Sequence, residues 1–163
     1  MSHAQTDLVL INPNSRRKVY QSLGATLAAV EPPVWAGLMA NFVRRRGYRV
    51  AIIDAEAEQL THDETIDRVR DLRPRLIAVV VYGHQPSAST QIMPAARGVA
   101  QAAKDQLPDV PLLLLGGHVA ALPERTLREE PADFVAGGEG LCTLVDLLEA
   151  LQTASPDFSQ VRD

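Results

Sequence analysis

The residues with chemical potential fall in four stretches, each directly after a short apolar run. Gly116-Gly117-His118 and Gly137-Gly138-Glu139-Gly140 are two glycine-rich turns. Glycine permits positive φ and lets a ligand approach the backbone closely. Two such turns side by side would leave a trough free of side chains, suited to something bulky and flat. On this reading, Val in place of Gly117 or Gly138 would block it. The third stretch, Tyr82-Gly83-His84-Gln85-Pro86-Ser87-Ala88-Ser89-Thr90, brings three hydroxyls to the start of a helix. There they can bond a ligand's polar edge or phosphate, with Ser87 or Ser89 spent as the N-cap. The fourth begins at Asn12-Pro13 and runs to Pro32 without helical periodicity. Strand-to-helix loops typically take about 2–6 residues, so this long connection is expected to cover a ligand, with Tyr20, Gln21 and Leu23 as candidate covers.

Other chemistries find little support. Cys142 is the only cysteine, so neither a disulfide within the chain nor a thiolate-held cluster is possible. His84 and His118 fall on the same edge as the glycine turns, but no histidine has a partner at metal-ligand spacing. No serine elbow is present. A net charge of −4 argues against a nucleic-acid surface, which needs an excess of Lys and Arg. The basic run Arg44-Arg45-Arg46 sits where a helix should end and complements its dipole. No apolar run reaches the 18 or more residues that span a bilayer. Residues 1–7 lack the basic and apolar regions of a signal peptide, which places the protein in the cytoplasm.

Five apolar runs would carry these stretches: Leu8-Val9-Leu10-Ile11, Val50-Ala51-Ile52-Ile53, Leu76 through Val81, Pro111 through Leu115, and Phe134-Val135-Ala136. Runs apolar on both faces read as parallel strands covered by helices on each side. Between them, Pro32-Pro33 opens a first helix with Val34, Leu38, Phe42 and Val43 as its apolar stripe. The capping box Thr61-x-x-Glu64 opens a second, with Ile66, Val69 and Leu72 inward, and Pro74 stops it. A third runs from about Ser89 to Gln106 on Met93, Ala96, Val99 and Ala103. A short fourth spans about 122–129. A fifth, from Leu141 to about Leu151, buries Leu144, Val145, Leu148 and Leu151. Strict β-α alternation predicts an α/β, doubly wound five-stranded parallel sheet of flavodoxin-like (Rossmann-like) order 2-1-3-4-5. Its ligands would lie outside the carboxyl ends of the strands. Residues 1–152 are expected to form the domain, and 153–163 a loose tail or the start of a linker.

Read together, Leu10-Ile-Asn-Pro13, Glu31-Pro-Pro33, Gly47-Tyr-Arg-Val50, Ile53-Asp54, Gln85-Pro-Ser-Ala-Ser-Thr90, Gly116-Gly-His118, Leu122-Pro-Glu-Arg-Thr126 and Gly138-Glu-Gly140 resemble, in order and spacing, the N-terminal cobalamin (vitamin B12)-binding domain of cobalamin-dependent radical SAM enzymes, of the methylase and anaerobic cyclase type. The likeness covers nearly the whole chain, from Leu8 to Leu151. It implies cobalamin as ligand, its nucleotide tail beside the glycine turns and its corrin over the strand ends. It also implies a C-terminal radical SAM domain holding an iron–sulfur cluster and S-adenosylmethionine, and methyl transfer as the chemistry of the whole. Two departures matter. The loop after the first run lacks the D-x-H-x-x-G motif that supplies a cobalt-ligating histidine in methionine-synthase-type domains, so the cobalamin is expected base-off with no protein histidine on cobalt. The C-x-x-x-C-x-x-C cluster motif is missing, so this chain alone is expected to position a cofactor rather than catalyse.

Two other classes compete. A flavodoxin-like FMN protein needs a phosphate loop leading straight into the first helix, whereas here the loop is long and carries Arg16-Arg17-Lys18. A receiver-type signalling domain needs an acidic cluster, a phosphorylatable Asp and a Lys where this chain has Asn12, Tyr82 and Gly137, and is rejected. A domain that kept the fold and lost its ligand is the remaining alternative.

Overall fold

The computed structural model describes residues 6–15, 31–83 and 86–162, without the side chains of residues 86 and 87. Five strands form one sheet: β1 (Leu8–Asn12), β2 (Val50–Asp54), β3 (Leu76–Val81), β4 (Leu112–Gly116) and β5 (Phe134–Val135). Every pairing is parallel and the order is β2-β1-β3-β4-β5, as expected. Helices α1 (Val34–Arg44), α2 (His62–Leu72), α3 (Pro86–Gln106), α4 (Gly117–Ala121), α5 (Pro123–Glu129) and α6 (Leu141–Ala150) connect and cover the strands. None is long and apolar enough to cross a membrane among the described residues.

The alternation of side chains along each strand divides the core in two. Leu8, Leu10, Leu76, Ala78, Val80, Leu113 and Leu115 face α1 and α6. Val9, Ile11, Ile77, Val79, Val81, Leu112 and Leu114 face α2 and α3. Strands β3 and β4 are buried at every position, which is why their sequences are continuously apolar rather than alternating.

The helices follow local signals with instructive exceptions. Thr61 caps α2 through the full capping box, with Glu64 N–H donating to Thr61 Oγ1 and Thr61 N–H to Glu64. Helix α1 buries Ala36, Met39, Ala40 and Val43, so that of the predicted stripe only Val43 is in the core. Val34 and Leu38 are 58% and 55% exposed, and Phe42 only flanks the core. Positions 36, 39, 40 and 43 form the inward i, i+3, i+4, i+7 stripe, and two alanines on it let the helix approach the sheet. Helix α3 starts at Pro86, three residues before the predicted Ser89, so Ser89 lies inside the helix and is not its N-cap. Helix α4 was not anticipated, because Gly116-Gly117 reads as a helix breaker.

The basic run is absorbed locally. Arg44 donates to the Val50 carbonyl at 2.6 Å, and the Arg46 guanidinium sits 3.4 Å above the centre of the Phe42 ring. The segment after Gln152 makes defined contacts instead of hanging free. Phe158 meets Phe134 edge-on at 4.9 Å, Val161 packs on the core, and Arg162 pairs with Asp146 at 2.8 Å.

At the opposite end of the sheet from the site, Asp7 accepts from Arg49 N–H at 2.8 Å and lies 3.2 Å from the Arg49 Nε and 3.6 Å from the Arg75 Nε. Burial alone would raise this carboxyl. The Arg49 hydrogen bonds and the two guanidinium charges outweigh burial and hold it below the ordinary value. A depressed carboxyl pKa contributes stability that is present above the unfolded pKa and lost as pH falls through the folded one. Asp7→Asn is therefore expected to be less stable than the parent near neutrality, by about 1–2 kcal/mol given the half-exposed Arg49. The difference should narrow in acid, once the pH falls below the ordinary carboxyl range and Asp7 begins to take up its proton. Urea midpoints measured from pH 7 down to pH 2.5 check this, and a gap that persists unchanged in acid would refute it.

Candidate functional site

The order of the sheet reverses between β1 and β3, and their carboxyl ends part there to open a crevice. A concavity of about 280 Å³ occupies it. On the β1 side, Asn12 donates from Nδ2 to Asp54 Oδ1 at 2.8 Å. Ser15 donates from Oγ to Glu56 Oε2 at 2.9 Å, and Asn14 donates to the Leu60 carbonyl at 3.2 Å. The first residues after β1 are thus tied to the end of β2 before the chain continues. Asn14 Oδ1 is buried and has no hydrogen-bond partner among the described residues. On the β3 side, Tyr82 stacks on Trp35 with ring centres 4.5 Å apart and planes 20° apart. Burial, and after it the charge of Glu139, raises the Tyr82 phenol, keeping it protonated and able to donate.

The wall of the concavity comes from a segment the glycine pattern did not indicate. Glu31, Pro32, Pro33, Val34, Trp35 and Ala36 line it, with Ala88, Gln91 and Ile92 of α3 opposite. A Pro-Pro step followed by the only tryptophan, at the end of an unusually long loop, was the signal that could have found it.

A second, polar knot adjoins the first at the ends of β3 and β4. Ser89, 1% exposed, donates from Oγ to the Val81 carbonyl and accepts from the His118 N–H at 2.9 Å. Thr90 Oγ1 lies 3.0 Å from His118 Nδ1. Gly116 has φ +153°, and a Cβ there would overlap the Val81 carbonyl. Gly117 differs: a Cβ would meet only Ser89, at an ordinary 3.6 Å. Within the protein itself Gly117 thus has room for a Cβ, and of the pair it is Gly116 that cannot take one. Gly140 has φ +79° and caps α6.

Of the predicted site residues, Asn12, Tyr82 and Gly83 line the concavity. Ser89, Thr90, Gly116, Gly117 and His118 belong to the knot, and Glu139 is coupled electrostatically to Tyr82. Pro13, Gly137, Gly138 and Gly140 lie outside the lining of the concavity, which centres between β1 and β3 rather than at the glycine turns. Tyr20, Gln21, Leu23, His84, Gln85 and the side chain of Ser87 lie outside the described residues. No group of three or more His, Cys, Asp or Glu among the described residues could hold a metal ion.

A crevice at the β1/β3 switch of a five-stranded sheet is shared by several ligand-binding families. The sequence decides among them: the pattern of the B12 binding domain matches residues 20–148. The chain belongs to the B12-binding domain family. It is 27% identical over 157 residues to the anaerobic magnesium-protoporphyrin IX monomethyl ester cyclase of Cereibacter sphaeroides, covering 95% of this chain and 23% of that protein. It is 31% identical over 145 residues to an uncharacterised methyltransferase of Pyrococcus horikoshii, covering 88% of this chain and 29% of that one. This B12-binding domain thus spans only about a quarter of the length of these relatives, 23% and 29%. Among solved structures, it superposes on the radical S-adenosylmethionine methyltransferase TsrM of Kitasatospora setae, with cobalamin and a [4Fe-4S] cluster bound, at a TM-score of 0.74 and 15% identity, over 98% of this chain and 28% of that one. The receiver domain of NtrX from Brucella abortus aligns at a TM-score of 0.54 and 12% identity, over 91% and 100% of the chains. Likeness at such identities concerns the fold only.

Proposed function

We propose that this domain binds cobalamin at the carboxyl end of its sheet and presents it to a radical SAM domain of the same protein. The observation that carries the reading is the open concavity at the β1/β3 switch point in a chain of the B12-binding domain family. The residues fit such a ligand. About 280 Å³ is at the small end for ligand pockets and too little to enclose a corrinoid, so the ring must lie largely over the strand ends while part of the ligand enters. The lining is mixed as an amide-fringed ring requires, with Asn12, Ser15, Tyr82 and Gln91 offering polar atoms beside Val34, Trp35 and Ile92. When bound, the corrinoid supplies a cobalt able to carry and release an alkyl group. The work of this chain is placement. Asn12 and Ser15, pinned by Asp54 and Glu56, hold the mouth in shape, and the protonated Tyr82 phenol can donate to an amide carbonyl. The reading of a cobalt without a protein histidine rests on the sequence, which lacks a D-x-H-x-x-G motif after β1. The cluster and S-adenosylmethionine sites, and the methylation or cyclisation they drive, are assigned to the part of the protein that the longer relatives have beyond this domain.

Cobalamin that binds only the folded state stabilises by about 2.7 kcal/mol at a hundredfold excess over Kd. For a domain of this size that is on the order of 5–10 °C in Tm. Hydroxocobalamin is expected to raise the melting temperature by this amount and to stay with the protein on desalting, while FMN gives no shift. In the same complex reduced to cobalt(II), electron paramagnetic resonance lines without nitrogen splitting are expected. A shift with FMN and none with hydroxocobalamin would reject the cofactor, and triplet lines abolished by His118→Ala would reject the histidine-free cobalt.

A further inference from the structure

Trp35, the single tryptophan, occupies the first turn of α1 and is 43% exposed. The core does not need it: α1 already buries Ala36, Met39, Ala40 and Val43. Val34 and Leu38 beside it are more exposed still, so the start of α1 carries an apolar surface directed away from the sheet. Exposed apolar patches of this kind mark binding sites, and this one is continuous with the concavity, whose lining includes both Val34 and Trp35. The indole is also held in place, since its ring lies flat on Tyr82 at the end of β3. A rigid aromatic wall of this sort contributes contact area at little entropic cost. Asn12, Ser15 and Gln91 add polar groups to the same lining.

We propose that Trp35, buttressed by Tyr82, is a ligand-contacting residue, the outer wall against which the apolar part of the corrinoid packs, with Val34 extending it. The proposal rests on the cobalamin reading above and adds to it a contact that neither the glycine turns nor the hydroxyl loop supplies. It also accounts for the mismatch of size. A ligand too large for the concavity needs a surface outside it, and the exposed face of α1 is the apolar surface adjoining the mouth.

The test uses the full 163-residue chain. Affinity for hydroxocobalamin is measured by equilibrium dialysis for the parent, Trp35→Ala and Trp35→Phe, with circular dichroism to confirm that each is folded. Loss of a central aromatic anchor is expected to weaken binding about tenfold or more, and the Phe variant should stay within about threefold of the parent. Independently of any variant, the single indole N–H signal in the NMR spectrum should move on titration with diamagnetic cyanocobalamin. If the parent binds but the indole signal stays put and Trp35→Ala binds equally well, the wall is elsewhere and the inference fails while the cofactor reading stands. If the free protein is a dimer that Trp35→Ala dissociates, with corrinoid affinity unchanged, the face joins two copies of the chain and the inference fails. If the parent retains no corrinoid, the cofactor reading and the inference fall together.

Discussion

Gly116→Ala is expected to cost about 3–5 kcal/mol of stability, a large part of the roughly 5–15 kcal/mol that a domain has in total. Gly116 closes β4 in register with Val81 at the end of β3. Its φ of +153° is a backbone state that side-chain-bearing residues rarely adopt, and such strain costs on the order of 1–3 kcal/mol. The added Cβ would also overlap the carbonyl group and Cβ of Val81. Those atoms belong to a buried strand packed on both faces, so relief requires moving the sheet, at a further cost of about 1–3 kcal/mol. Gly117→Ala is the internal comparison. Its Cβ has room and its position opens α4, so a change within about 0.5 kcal/mol is expected. Denaturant midpoints for the two variants separate the cases. Equal effects at the two positions would show that the glycine pair acts as a unit and that strand packing is not what demands it.

Strands β1, β3 and β4 were legible because burial on both faces leaves its own mark, an uninterrupted apolar run, while the edge strands β2 and β5 are half-buried and their runs are short. Helix α2 was legible because Thr61 and Glu64 make a local signal that tertiary structure had no reason to override. The face of α1 was misread for a physical reason. The bulky residues Val34 and Leu38 look like core, whereas a helix pressed close to a sheet buries small ones such as Ala36 and Ala40. That error concealed part of the site, because residues assigned to the core were no longer available to line a pocket. The crevice at the carboxyl edge was predictable from strand order. Which residues form the concavity was not, since Glu31–Ala36 reach it across more than forty positions of sequence from Tyr82, and no short motif encodes that encounter. The glycines are ambiguous in sequence: Gly116 is demanded by the approach of two strands, which in sequence looks the same as the approach of a ligand.

Ser89→Ala is expected to destabilise the domain by about 2–4 kcal/mol although it removes a single atom. Ser89 was, with Ser87, one of two candidate helix caps. Because α3 begins at Pro86, its hydroxyl instead sits one turn inside, bonded to the Val81 carbonyl and to the N–H of His118. The hydroxyl therefore fastens the end of β3 to the start of α4, where an N–H has no partner within its own helix. Removing it leaves a donor and an acceptor without this partner around a nearly inaccessible side chain, and each unsatisfied group costs about 1–3 kcal/mol. Thr90→Ala breaks only the exposed contact to the His118 ring and should cost less than about 1 kcal/mol. Denaturant midpoints give the magnitudes, and amide exchange at His118 gives the location, faster in Ser89→Ala and unchanged in Thr90→Ala. Equal midpoints for the two variants would refute the fastening role. Gly116→Ala and Ser89→Ala both disturb the Val81 carbonyl, so their effects should not add. A double variant substantially less destabilised than the sum identifies that carbonyl as the point through which the polar knot and the sheet support each other.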